Sequence, residues 1–162
     1  MRDDSEDQIG GGAAEGLELD RFLPYRLAVL AHGVSRALSE IYRERFQLTI
    51  PEWRVIANLG RHAPTSANRL AERGSMDKTK VSRAVARLVE SGLVTRESDP
   101  HDNRLLVLRL SEKGAQVYRE IAPLALAWES QFLETLDAEE RAVLNRALDK
   151  LQARADALRE GE

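Results

Sequence analysis

Residues 66–114, SANRLAERGSMDKTKVSRAVARLVESGLVTRESDPHDNRLLVLRLSEKG, decide the fold. Two helical patterns stand close together in this stretch, Ser66 to about Arg73 and Asp77 to Ser91. Only Gly74-Ser75-Met76 separates them, which is the spacing of a helix-turn-helix. In the second pattern Val81, Val85, Leu88 and Val89 recur on one face. Asp77 has the short acceptor side chain that caps a helix N-terminus, and Gly92 stands where a left-handed residue closes a helix. Lys78, Lys80, Arg83 and Arg87 fall outside the apolar face. Further on, Leu93 to Glu97 and Arg104 to Leu110 read as strands, the latter with Leu106, Leu108 and Leu110 on one side. The Ser-Asp-Pro-His-Asp-Asn between them is rich in turn residues, so the pair is expected to form a β-hairpin with a polar tip.

Outward from this stretch the chain is helical. Towards the N-terminus, Thr49-Ile50-Pro51-Glu52 has the form of a capping box, and Trp53, Val55, Ile56 and Leu59 supply a short helix that Gly60 to Pro64 should end. Before it, Phe22, Leu23, Leu27, Leu30, Val34, Leu38 and Ile41 recur at steps of three and four from Leu19 onward. They predict an amphipathic helix to about Phe46, with Pro24 in its first turn. Residues 1–18 combine acids, glycine and alanine with little that can be buried, and are expected to be a disordered acidic tail. Towards the C-terminus, Ser111 can cap a helix with Val117, Ile121, Leu124, Ala125 and Trp128 on its apolar face, which Pro123 should kink or interrupt. Asp137-Ala138-Glu139-Glu140 resembles a capping box. Leu144, Leu148, Leu151, Ala155 and Leu158 then repeat at alternating steps of four and three, the seam of a coiled coil. The predicted fold is mainly α with a small β-hairpin (α+β), a winged helix-turn-helix with N- and C-terminal dimerisation helices. One domain is expected over 19–160, with a DNA-binding lobe at 48–110 and dimerisation helices at 19–46 and 111–160.

Composition narrows the function. The 162 residues, 43% of them apolar, suffice for one ordinary domain and not for two. The chain has no cysteine, which removes disulfide scaffolds, thiolate catalysis, zinc ribbons and thiol-based oxidant sensing. No apolar run approaches the roughly 20 residues a bilayer needs, and the acidic N-terminus lacks the basic-then-apolar order of a signal peptide. A cytoplasmic protein without membrane contact is expected. The net charge of −3 is unevenly spread: residues 1–20 carry seven acids against one Arg, residues 21–110 sixteen Lys/Arg against nine acids, and residues 111–162 seven Lys/Arg against eleven acids. A basic middle between acidic ends points to a polyanion-facing module, because the surface field follows local charge and not the total.

The candidate contacts to double-stranded DNA come from this layout. An α-helix fits the major groove, and the outer face of the second helix offers Lys78, Thr79, Lys80, Ser82, Arg83 and Arg87, with Arg83 placed to reach a guanine. Ser66, opening the first helix of the pair, and Asn103 on the hairpin join this set. Arg104 is suited to a narrow minor groove, where the negative potential favours a guanidinium, and Asp102 to orienting it. A solvated basic face and an ordinary polar turn are the plain alternatives, and the order helix-turn-helix then hairpin argues against them. Enzyme chemistry finds no support. His32, His62 and His101 lie in different elements, and there is neither a phosphate-cradling glycine loop nor a His-Glu-x-x-His helix. His101 with Asp99 and Asp102 reads as a turn and not as a metal site, and no cofactor is implied.

From about Leu48 to Gly114 the chain resembles the MarR family of bacterial transcriptional regulators. DPHDNRLLVLRLSEKG is similar to that family's wing signature, an Asp-x-Arg pair followed by alternating aliphatics and Leu-Ser/Thr-x-x-Gly. Asp102, Arg104, Leu110, Ser111 and Gly114 supply it here. VSRAVARLVESGLVTR resembles the family's recognition helix and the strand after it, and with the flanking helices the likeness extends over about Leu19 to Leu158. The resemblance implies a homodimer on a pseudo-palindromic operator, with half-sites about one helical turn apart. It also implies a small aromatic effector, either the free acid or its CoA thioester, held between the dimer helices and the winged lobe. Tyr25, Arg26, His32, Arg36 and Trp53 are the side chains expected to hold it, the arginines against a carboxylate and the rings by stacking. The function expected is that of a homodimeric repressor that the effector releases from DNA. The competing class is a winged-helix module that binds an acidic protein partner and has no operator preference.

Overall fold

The computed structural model describes residues 16–74, 76–98 and 106–161. The element order is α1 (Leu23–Phe46), α2 (Ile50–His62), α3 (Ala67–Arg73), α4 (Lys78–Glu90), β1 (Val94–Ser98), β2 (Leu106–Leu110), α5 (Glu112–Phe132), a 3-10 turn (Leu133–Thr135) and α6 (Ala138–Glu160). The described residues divide into two compact units, one up to Ala37 and one from Leu38 onward. In the first, the backbone N–H groups of Arg21 and Phe22 donate to the Glu18 carbonyl in a single turn. The helix proper begins at Leu23 and not at Leu19, since Pro24 has no N–H to give and fits only the first turn. Only residues 16–18 of the expected tail lie within the described residues, and they are exposed.

The second unit is built around one core. Val55, Ile56 and Leu59 of α2, Leu70 of α3, Val81, Val85 and Leu88 of α4, Leu108 of β2 and Ile121 of α5 are buried in it. Burying side chains of this size is the main stabilising term, about 1.5–3 kcal/mol for each fully buried aliphatic group. The caps read from the sequence are present. Thr49 and Glu52 form a reciprocal capping box on α2, Asp77 accepts from the N–H groups of Thr79 and Lys80, and Asp137 and Glu140 form a second box on α6. Gly92 has φ +70°, the left-handed region that costs glycine least, and it turns the chain from α4 into the hairpin.

The end of α2 falls at His62, within the Gly60–Pro64 stretch expected to close it. Gly60 itself is still helical and has a packing role. A Cβ there would meet the Tyr118 ring at 2.8 Å, so the glycine lets α5 approach closely.

Pro123 does not interrupt α5, which is continuous from Glu112 to Phe132, with Ile121 fully buried near the proline. Leu106 is not buried with Leu108 and is 53% exposed. The antiparallel register pairs Val94 with Leu110 near the core and Ser98 with Leu106 at the far end, beyond the reach of the core. Thr65 completes the small sheet, exchanging both backbone hydrogen bonds with Leu108 at 3.3 and 2.8 Å.

Candidate nucleic-acid interface

The recognition-helix candidate α4 is fixed at both ends. At its start the Asp77 carboxylate accepts from Thr79 N–H at 2.9 Å and Lys80 N–H at 3.1 Å. At its end the structure locks onto α5. The Ser111 hydroxyl donates to the Gly92 carbonyl at 2.6 Å, Ser111 N–H to the Leu93 carbonyl at 3.0 Å, and Lys113 Nζ to the Ser91 carbonyl at 3.1 Å. The same Ser111 Oγ caps α5 by accepting from Gly114 N–H at 3.0 Å. These bonds satisfy helix-terminal groups that would otherwise be orphaned, and they join helix, hairpin and α5 at one point.

Between these anchors Val81, Ala84, Val85 and Leu88 face the core, and Lys78, Thr79, Lys80, Ser82 and Arg83 are exposed. Lys78, Lys80 and Arg83 form no ion pair with any described residue. Their charges are therefore available to an external anion. Ser66 stands apart, its hydroxyl oxygen accepting from Arg69 N–H at 3.4 Å as the N-cap of α3. Asp102, Asn103 and Arg104 lie outside the described residues.

Arg87 has a partner that the sequence did not suggest. Its Nη1 lies 3.9 Å from Oε1 of Glu52, whose side chain is 8% exposed, and the other carboxylate oxygen accepts from Thr49 N–H at 2.7 Å. In the sequence Glu52 is legible only as the acidic last residue of the capping box that Thr49 opens. Its second role depends on α2 and α4 packing side by side.

The effector candidates divide between the two units. Tyr25, Arg26, His32 and Arg36 lie along α1 within residues 1–37, and all four are exposed. Trp53 belongs to the core of the other unit. It is stacked with Tyr42 at 5.5 Å and with Tyr118 at 6.4 Å between ring centroids. An effector ring expected to stack on Trp53 meets rings already in place. Neither Tyr42 nor Tyr118 stood out in the sequence. Burial pushes the Tyr42 phenol up to about 12, against a smaller lowering by Arg54. Among the described residues no cluster of His, Asp or Glu could hold a metal ion, and no helix is long and apolar enough to cross a membrane.

Residues 46–105, from the end of α1 into the hairpin, match the model of the MarR family. An HTH-type transcriptional regulator of Mycobacterium tuberculosis is 27% identical over 135 residues, 80% of this chain and 94% of the relative. The crystal structure of a MarR/EmrR family transcriptional regulator from Acinetobacter sp. ADP1 superposes with a TM-score of 0.80 at 27% identity, covering 87% of this chain and 99% of that one. The PcaV transcriptional regulator of Streptomyces coelicolor, solved in complex with its natural ligand, gives a TM-score of 0.67 at 25% identity over 83% of this chain and 96% of that one. Sequence and fold agree in these likenesses: residues 46–105 match the MarR family model, and the chain as a whole is similar to MarR-family and HTH-type transcriptional regulators.

Proposed function

We propose that the protein is a cytoplasmic homodimeric repressor that binds a pseudo-palindromic operator in double-stranded DNA and leaves it when a small aromatic acid, or the CoA thioester of one, binds. The observation that carries the DNA part is the outer face of α4, where Lys78, Lys80 and Arg83 are exposed without an ion-pair partner among the described residues. On this reading Arg83 takes a base edge, Thr79 and Ser82 take base edges or phosphates, and Lys78 and Lys80 hold the backbone. Ser66, Asn103 and Arg104 supply the flanking contacts, with Asp102 orienting Arg104 on the wing.

Homodimerisation is supported by apolar surface within each unit. Leu23, Leu27 and Leu30 are exposed on α1, and Leu144, Leu148, Leu151 and Leu158 are exposed along the seam of α6. Regularly spaced leucines in water are stabilised by a partner helix. The effector part rests on the family and on the ligand-bound PcaV structure. Arg26 and Arg36 are the proposed carboxylate partners, with His32 as a donor and Tyr25 as a stacking surface. Trp53 is the one aromatic candidate drawn from the core of the second unit.

The test is fluorescence anisotropy of the protein on duplex DNA from its own upstream region, titrated with aromatic acids and their CoA thioesters. Release by one compound at a concentration that leaves random-duplex binding unchanged supports the reading. Operator binding that no member of the panel alters removes the aromatic-effector part of it.

A further inference from the structure

The pairing of Glu52 with Arg87 bears on how DNA is discriminated, and this role rests on the DNA-binding reading of α4. Lys80, Arg83 and Arg87 are spaced by three and four residues, so they form one stripe along the helix. That stripe borders a groove whose other wall is the start of α2, at Thr49, Pro51 and Glu52. Of the three cations only Arg87 has a carboxylate within reach among the described residues, at 3.9 Å.

The two oxygens of Glu52 serve different ends. Oε2 takes the Thr49 N–H, which a glutamine could also do, since Gln serves in capping boxes as Glu does. Oε1 faces Arg87, and that role needs the negative charge. Glu52 is almost wholly withdrawn from water, so its charge is costly to leave unpaired and is weakly screened by salt. A guanidinium 71% exposed beside such a carboxylate can still reach solvent, but its charge is partly offset there, and a phosphate that draws it onto the duplex competes with Glu52 for it.

We propose that Glu52 is a positioning residue that limits sequence-independent DNA binding by holding Arg87 against the start of α2, so that Lys80 and Arg83 of the same stripe engage the duplex while Arg87 does not. Phosphate contacts raise affinity for every sequence alike, whereas base contacts discriminate. Withholding one cation lowers the unselective part of binding and leaves the base-reading part in place. This is discrimination by restraint, as opposed to an added contact.

The substitution Glu52→Gln separates the two roles of the carboxylate, since it keeps the cap and removes the charge. Dissociation constants for operator and scrambled duplexes would be measured across a salt series for the wild type, E52Q, R87A and the double variant. A freed Arg87 that finds a phosphate steepens the slope of log K against log salt by about 0.9, an extra loss of about 3.5-fold between about 50 and 200 mM salt. The expected result is that steepening in E52Q on both duplexes. In the E52Q background Arg87→Ala should reverse it fully, and in the wild-type background the same substitution should lower the slope by less than half as much.

An R87A variant whose slope falls by about 0.9 with Glu52 intact would overturn the proposal, because Arg87 would then already be on a phosphate. A gain in E52Q that survives removal of Arg87 would also overturn it, leaving simple repulsion of DNA by Glu52. Should E52Q fail to fold, the slope of R87A alone decides. Wild-type protein that binds neither duplex defeats the function reading itself, and the proposal with it.

Discussion

Gly114 packs directly against the backbone carbonyl of Leu93, so closely that a Cβ on the glycine has no room. The contact lies where α5 begins beside the residues that follow α4, next to the Ser111 hydrogen bonds to Gly92 and Leu93. Because the obstructing atom is backbone, no side chain can move aside to admit a methyl group. Gly114→Ala is expected to destabilise the protein by about 3 kcal/mol or more, at the upper end of overpacking effects. Urea unfolding checks this, and a change below about 1 kcal/mol would mean that the two elements separate easily.

The stacked rings of Tyr42, Trp53 and Tyr118 join α1, α2 and α5 within the second unit. Trp53→Ala should cost about 3–5 kcal/mol, as for other buried aromatic truncations, while Trp53→Phe should cost less. Far-UV circular dichroism during thermal melting gives the comparison. Equal and small losses would show that the core does not depend on Trp53.

Tyr42 also makes stability depend on pH at the alkaline end. Its phenol is raised from 10.0 to about 12, so between those values the unfolded chain loses a proton that the folded chain keeps. Stability from this group is fully present below pH 10 and is lost as pH rises towards 12, at about 1 kcal/mol per pH unit. Urea midpoints at successive pH values should show the decline in the wild type and a shallower one in Tyr42→Phe. Identical profiles would refute the assignment.

On α4, Arg83→Ala should weaken operator binding by about 1–3 kcal/mol and relax selectivity at one base pair, whereas Lys78→Ala should weaken all duplexes alike. Binding to a set of single-position operator variants distinguishes the two. Equal losses on operator and random DNA for Arg83→Ala would remove it from base reading.

The α6 seam predicts assembly. Leu148 and Leu151 are both exposed, so Leu148→Glu with Leu151→Glu should leave the fold of residues 38–110 intact and give a monomer in sedimentation velocity. A doubly substituted protein that sediments as the wild type does would show that the seam is not the interface.

What the sequence made legible was local. Thr49 with Glu52, Asp77, Ser111, and Asp137 with Glu140 all close hydrogen bonds within a few residues, and each cap is found where its side chain predicts it. Gly92 declares its left-handed turn in the same way. Contacts between elements were harder to read. Gly60 looks only like part of a helix end until the ring of Tyr118 is brought against it, and the alternation that puts Leu106 and Leu108 on one side of the strand does not say that the register buries Leu108 and leaves Leu106 exposed. Arg87 reads as one more cation on a basic face, and only the packing of α4 beside α2 sets it against Glu52. The residues of the wing tip, 99–105, are legible as a motif and lie outside the described residues.

Operator recognition is best tested by selecting duplexes from a random DNA pool with the purified protein, then measuring affinities for the enriched and scrambled sequences at two salt concentrations. A sequence-reading homodimer should enrich a pseudo-palindrome with half-sites about one helical turn apart. It should bind that sequence roughly 10³-fold or more tightly than scrambled DNA, with affinity falling steeply as salt rises. A pool that yields no common sequence, with equal affinity for every duplex, would contradict the assignment of α4 as a recognition helix.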